Sequence, residues 1–147
     1  NLDLSKALFI FSYNDESRVN KILKDRMYVI HTKGFNIEDK LKISREYLIP
    51  EIYDTFMFEP KDITLTDDIL KTIIQNFTQN EEGVRNLKRC IETIISKINI
   101  HVLSEGDSDL SFKLDNFNLP VELNRDHIDI LLKTNQKQDT PPFGMYN

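Results

Sequence analysis

The chain has 147 residues, of which 39% are hydrophobic and 29% charged, as expected for one globular domain, or for one small domain and a fragment of another. Its formal net charge of -5 argues against a nucleic-acid-binding surface, which needs a basic face. No apolar run approaches the roughly 18 residues of a membrane-spanning helix, so we expect no membrane partner. The chain starts with Asn1 rather than Met, and we therefore expect a piece of a longer protein.

Two short apolar runs near the start of the chain predict β-strands. Residues 7–13 are almost continuously apolar, and residues 27–31 form a second run after a polar, helix-like stretch. Continuous apolar runs are typical of strands that are buried on both faces of a parallel sheet. We therefore expect residues 1–35 to be the end of an α/β sheet in which these two strands are neighbours.

Helices are predicted from Asn36 onward. Asn36 is suited to cap a helix with acidic residues in its first turn, and Pro50 predicts a kink or break near residues 48–49. A second helix is predicted to start at Thr66. A third helix is predicted from Val84 to about Val102, and both have one apolar face.

Two further segments, residues 63–65 and 121–123, each resemble a short strand that leads into a capped helix, so we expect them to pair. The predicted fold class is α+β, mainly α: a remnant of an α/β sheet followed by a small helical subdomain over residues 36–135. Residues 136–147 contain two prolines and a glycine and are predicted to be a linker.

Residues suited to catalysis are scarce. Cys90 lies in an apolar stretch and is expected to be a packed, inert thiol. The histidines, His31, His101 and His127, show no metal-ligand spacing, so no metal site is predicted. The sequence has no glycine-rich phosphate loop and no nucleophile motif. We therefore expect the chain on its own to catalyse no reaction.

Three polar residues at junctions between elements remain as candidates. Asn14 follows the first predicted strand, Arg26 follows the polar stretch, and Arg85 opens the third helix. Asn14 has an alternative explanation as a turn residue, and Arg26 as an ion-pair partner of Asp25 or another carboxylate. Arg85 is unusual, because a cation in the first turn of a helix is unfavourable unless it faces an anion such as phosphate.

Several short motifs, in their order along the chain, resemble the Lon protease family. They are Asp3–Ile10, Asn14, Leu23-Lys-Asp-Arg-Met27, Gly34-Phe35, Lys40-Leu41, Tyr47–Pro50, Gly83-Val-Arg-Asn-Leu87 and Phe143–Asn147. The resemblance covers almost the whole chain and corresponds to the C-terminal part of the family's AAA+ ATPase module, up to the start of the protease domain. Residues 79–82 depart from the family pattern, since they lack the usual Arg-Glu pair and are one residue longer.

The resemblance implies roles for five residues. Asn14 matches sensor 1, which orients the attacking water. Arg26 matches the arginine finger, which acts in trans on the nucleotide of the adjacent subunit. Arg85 matches sensor 2, which contacts the phosphates of its own subunit. Phe35 and Val84 match positions near the adenine ring.

The resemblance also implies the setting of the full-length protein. It would be an ATP-dependent serine endopeptidase of protein quality control, a hexameric ring that unfolds and degrades protein substrates inside the cell, in the cytoplasm or the mitochondrion. ATP with Mg²⁺ would be its cofactor, and this chain alone would require none and would be inactive. Two alternatives stay open: an AAA+ remodelling protein without protease activity, and a helical interaction module without a nucleotide role.

Overall fold

The computed structural model describes residues 1–104, 112, 114–115 and 117–133, so the predicted linker at 136–147 lies outside the described residues. The chain divides into two compact units, Asn1–Thr32 and Lys33–Asn147. The helices are α1 (Lys21–Lys24), α2 (Ile37–Ile43), α3 (Ile49–Phe56), α4 (Asp67–Phe77), α5 (Arg85–Leu103) and α6 (Arg125–Lys133), and the strands are β1 (Ile63–Thr64) and β2 (Val121–Glu122).

The first unit contains only α1 and a preceding 3₁₀ turn, Glu16–Arg18. The prediction of two strands in this unit is wrong. Residues 7–13 and 27–31 form no strand, and Leu8 and Ile10 are each 85% exposed. A strand needs a partner for its backbone N–H and C=O groups, and within the described residues the sheet contains only β1 and β2. Without a neighbouring strand, the apolar pattern alone does not make a sheet.

In the second unit, a capping box starts α2. The Asn36 side chain accepts a hydrogen bond from Asp39 N at 2.8 Å, and Asn36 N donates to the Asp39 carboxylate at 3.3 Å. In place of the predicted kink or break near residues 48–49, a π-helical segment, Ser44–Leu48, joins α2 to α3 without interrupting the helical run. Pro50 lies at the start of α3 and has no N–H for the carbonyl four residues earlier, which favours the wider turn before it.

Helices α4 and α5 form the centre of the core. The Thr66 side chain caps α4, as predicted, and accepts from Ile69 N at 3.4 Å. One face of α5 is fully buried; its buried residues are Leu87, Ile91, Ile94, Ile95 and Ile98. The predicted apolar faces of both helices are therefore the faces that pack together.

The predicted pairing of the two short strands is confirmed. β1 and β2 are parallel, with Ile63 opposite Val121 and Thr64 opposite Glu122. Val121 N donates to Asp62 O at 2.9 Å, and Leu123 N donates to Thr64 O at 3.0 Å. The fold is α+β and mainly α, and the small sheet brings the segment before α6 to the segment before α4.

Candidate functional site

Arg85 is the first residue of α5. Its side chain is exposed, and within the described part of the chain it forms no ion pair or side-chain hydrogen bond. The first turn of α5 contains no acidic residue. The guanidinium therefore stands without a partner at the positive end of the helix dipole.

Another helix of the same unit starts with an arginine in a different electrostatic setting. Arg125 opens α6, and its guanidinium lies 3.2 Å from the Asp68 carboxylate. Asp126 adds a second negative charge in the first turn of that helix. The fold thus compensates the cation at the start of α6 and leaves the cation of Arg85 available to an external anion.

The carboxylate of Glu81 caps the N-terminus of α5. Its two oxygens accept hydrogen bonds from Asn86 N and Leu87 N, both at 2.8 Å. Val84 occupies the N-cap position, and no side-chain hydrogen bond caps the helix from there. Because Glu81 satisfies these two N–H groups, an anion that approaches the start of α5 meets the guanidinium of Arg85 rather than those amides.

The turn between α4 and α5, residues 78–83, is fixed from both sides. Gln79 and Asn80 adopt left-handed backbone conformations, with φ of 53° and 55°. Glu81 O accepts a hydrogen bond from Lys40 Nζ, and the Lys40 side chain is buried. The carbonyl of Thr78 accepts a hydrogen bond from Asn86 Nδ2 at 3.4 Å. This turn therefore has little freedom relative to α2 and α5.

Gly34 allows the chain before α2 to approach the same turn. A Cβ atom at Gly34 would lie 2.8 Å from Glu82 Cβ, so a larger residue would force the two segments apart. Next to it, Phe35 N donates to Glu82 O at 2.9 Å, and the Phe35 side chain is 47% exposed. The structure thus brings Phe35 to the turn that leads into Val84 and Arg85.

Asn14 and Arg26 belong to the first unit. Asn14 is exposed in a bend just before the 3₁₀ turn. Arg26 is exposed in the turn after α1, where its backbone N–H donates to Leu23 O at 3.1 Å. No described residue, Asp25 included, forms an ion pair with Arg26. Its guanidinium is therefore also free of a partner within the part of the chain that the structure describes.

Sequence reasoning did not single out Lys40, Glu81 and Asn86 as parts of this site. Lys40 and Glu81 are 41 residues apart, so their hydrogen bond leaves no local pattern. A signal for Glu81 was present: it is an acidic residue shortly before a helix whose own first turn has no acidic residue. A helix that begins with Arg85 requires negative charge from outside its first turn.

Cys90 is a half-buried thiol that packs against the core. Its Sγ lies 3.8 Å from Phe77 O, and burial raises the pKa of the thiol to about 11. Since the thiolate is the reactive form, the thiol stays inert at neutral pH. Two of the histidines pack edge-on against one aromatic ring: the rings of His101 and His127 lie 5.6 Å and 5.4 Å from that of Phe117.

Neither a metal site nor a membrane-spanning helix is present among the described residues. They contain no group of three or more His, Cys, Asp or Glu side chains arranged to hold a metal ion. Among them there is also no helix with the length and apolar character that crossing a membrane requires.

Comparison with known proteins identifies the family. The family model of the Lon protease AAA+ ATPase lid domain matches residues 56–110. The Lon protease of Cytophaga hutchinsonii is 38% identical over 103 residues, or 70% of this chain, and that of Aquifex aeolicus is 32% identical over 143 residues, or 97%. The chain belongs to the Lon protease family. A mitochondrial Lon protease homolog of Yarrowia lipolytica is also 36% identical over 108 residues, or 74% of this chain.

The match to the family model shows which elements of the helical unit correspond to the Lon lid domain. The residues that match the Lon lid begin at the last residue of α3, include β1, α4 and all of α5, and continue to residue 110. They contain Glu81, Val84 and Arg85. The chain spans only 12%, 17% and 9% of the lengths of the Cytophaga, Aquifex and Yarrowia Lon proteins.

Proposed function

We propose that this chain is the nucleotide-sensing part of a Lon ATPase module. Residues 1–35 would be the end of its large α/β subdomain, residues 36–135 its lid, and residues 136–147 the start of the linker to a protease domain. The full-length protein is then an ATP-dependent serine endopeptidase that acts on protein substrates as a hexameric ring. The chain alone, which has no P-loop and no protease dyad, is expected to hydrolyse neither ATP nor protein.

The observation that carries this proposal is the exposed guanidinium of Arg85, which forms no ion pair or side-chain hydrogen bond among the described residues. A guanidinium is always charged, and its planar fork matches the geometry of phosphate oxygens. Phe35 and Val84 lie at the same turn, where an exposed aromatic ring and an aliphatic side chain suit an adenine base. We assign Arg85 to sensor 2 and these two neighbours to the adenine side of the nucleotide.

The two candidates in the first unit complete the assignment. Arg26 is proposed as the arginine finger, since its exposed guanidinium has no partner among the described residues. Asn14 is proposed as sensor 1, where its exposed side-chain amide would orient the attacking water. ATP with Mg²⁺ would supply the phosphoryl group, and this chain's residues would supply orientation and positive charge. An arginine finger raises the rate of phosphoryl transfer by about 10³–10⁵-fold.

Subunit mixing tests the assignment in the full-length protein. Arg26→Ala and Arg85→Ala should each reduce ATPase activity strongly, because each removes charge that stabilises the transferred phosphoryl group. Each variant is then mixed with subunits whose P-loop cannot bind ATP. Arg26→Ala rings should regain part of their activity, since their intact nucleotide sites now face the intact fingers of the partner subunits.

Arg85→Ala rings should regain none, because the only subunits that bind ATP carry the defect themselves. Equal rescue of the two variants would show that the cis and trans assignments are wrong. Full activity of the unmixed Arg85→Ala protein would overturn the proposed function itself.

A further inference from the structure

We propose that Lys40 and Glu81 are positioning residues that together set the orientation of Arg85. This inference rests on the proposed role of Arg85 in nucleotide sensing. It concerns two side chains that would themselves make no contact with the nucleotide. They would act through the first turn of α5, and a change at either should alter how the protein handles ATP.

Lys40 provides the first link. Its side chain is only 5% exposed, although lysine is among the residues least often buried. Its ammonium donates to the backbone carbonyl of Glu81, across 41 residues of sequence. A buried cation is costly unless its hydrogen bonds are made, so this contact strongly favours one position of the turn relative to α2.

Glu81 provides the second link, since its two ends face different elements. Lys40 holds its backbone carbonyl, while its carboxylate holds Asn86 N and Leu87 N, the two residues that follow Arg85. Both carboxylate bonds are 2.8 Å long, as expected for a charged acceptor. The first turn of α5, and with it the backbone of Arg85, is thereby tied to α2.

The charge of Glu81 has a second effect. It offsets the positive end of the α5 dipole, which lowers the electrostatic cost of placing Arg85 there. Yet Glu81 forms no ion pair with Arg85 within the described residues, so it does not compete with an incoming phosphate for the guanidinium. A carboxylate that satisfies the backbone and leaves the cation free is the arrangement that a phosphate sensor needs.

A second lysine of the same unit serves as a matched control. Lys97 Nζ donates to Leu131 O at 2.6 Å, so it too joins two elements through a backbone carbonyl. Its bond joins the middle of α5 to the end of α6, away from the turn at residues 78–83. Loss of either ammonium should lower the stability of the lid, but only loss of Lys40 should disturb Arg85.

The test measures steady-state ATPase of the full-length protein for Lys40→Met, Glu81→Gln, Lys97→Met and Arg85→Ala. We expect Lys40→Met and Glu81→Gln to lower kcat/KM for ATP about tenfold, the effect of one charge-assisted hydrogen bond. Lys97→Met should stay within about twofold of the wild type. Glu81→Gln is also combined with Arg85→Ala, and it should then cause no further loss, because its effect passes through Arg85.

The outcomes separate this inference from the proposed function. Equal losses in Lys97→Met and Lys40→Met, or additive losses in the double variant, would reduce Lys40 and Glu81 to structural residues and overturn the inference. An Arg85→Ala protein with unchanged kcat/KM would overturn the proposed function and this inference with it. If Lys40→Met does not fold, the double variant of Glu81→Gln and Arg85→Ala decides, since Glu81→Gln changes a half-buried acceptor and leaves the buried ammonium of Lys40 in place.

Discussion

The buried Tyr53 and the half-buried Cys90 each have a raised pKa in the folded chain. Burial raises the pKa of Tyr53 to about 12 and that of Cys90 to about 11. The Tyr53 hydroxyl donates to Ile63 O, a bond that requires the protonated phenol. Ionisation of either group would place a negative charge where water does not solvate it, so the folded state favours the neutral forms.

The stability of the chain is therefore expected to fall as the pH rises above about 9. In the unfolded chain the thiol ionises near its ordinary pKa of 9.0 and the phenol near 10.0, whereas the folded groups ionise only near 11 and 12. The unfolded state thus releases more protons in this window and gains stability relative to the folded state. Urea unfolding midpoints between pH 8 and pH 11 measure the decline.

Cys90→Ala is the control for this prediction. Without the thiol, the decline between pH 9 and pH 11 should be shallower than in the wild type. An unchanged slope would show that Cys90 ionises equally easily in both states, contrary to its burial.

At the scale of elements, the small sheet contributes more to the stability of the fold than its length suggests. β1 and β2 contain two residues each, but they join the segments before α4 and α6. The pleat places Ile63 in the core, where it is 1% exposed, and Thr64 on the exposed face. Neighbouring residues of one strand therefore differ sharply in what they contribute to stability.

Ile63→Ala should lower the free energy of unfolding by about 2–5 kcal/mol, since it removes a buried side chain and leaves a cavity. Thr64→Ala, one residue along the same strand, should change it by no more than about 0.5 kcal/mol. Urea unfolding with an unchanged m value measures both. Similar losses in the two variants would mean that β1 does not face the core as described.

Local signals explain which elements the sequence predicts. The start of α2 and of α4 follows from the capping residues Asn36 and Thr66, and the buried face of α5 follows from its helical spacing. The strands predicted at residues 7–13 and 27–31 are not formed, because an apolar run favours a strand only where a partner strand is available to pair with it.

The candidate site likewise has one part that the sequence predicts and one part that it does not. Arg85 is visible in the sequence, because its charge conflicts with the start of a helix. Its surroundings are not: the bonds from Lys40 to Glu81 and from Phe35 to Glu82 join residues that are far apart in the chain. Only the folded turn shows that these residues meet.

At the scale of the whole molecule, the two units differ in how well they bury their apolar side chains. The second unit has a continuous core over α3 to α6 and the two strands. The first unit exposes large apolar side chains, among them Phe9 and Phe11, each 59% exposed. Within the proposed module, residues 1–35 would belong to the larger sheet of the ATPase domain, and its strands would cover these side chains.

The central claim is that Arg85 binds the phosphates of a nucleotide. Its most direct test is the affinity of the full-length protein for a fluorescent ATP analogue, compared between Arg85→Ala and Arg125→Ala. Both variants remove an exposed arginine from the first position of a helix, but Arg125 already pairs with Asp68. Arg85→Ala should weaken binding by about 10- to 100-fold, the effect of one arginine–phosphate pair, and Arg125→Ala by no more than about twofold. Equal affinities of the two variants would contradict the claim.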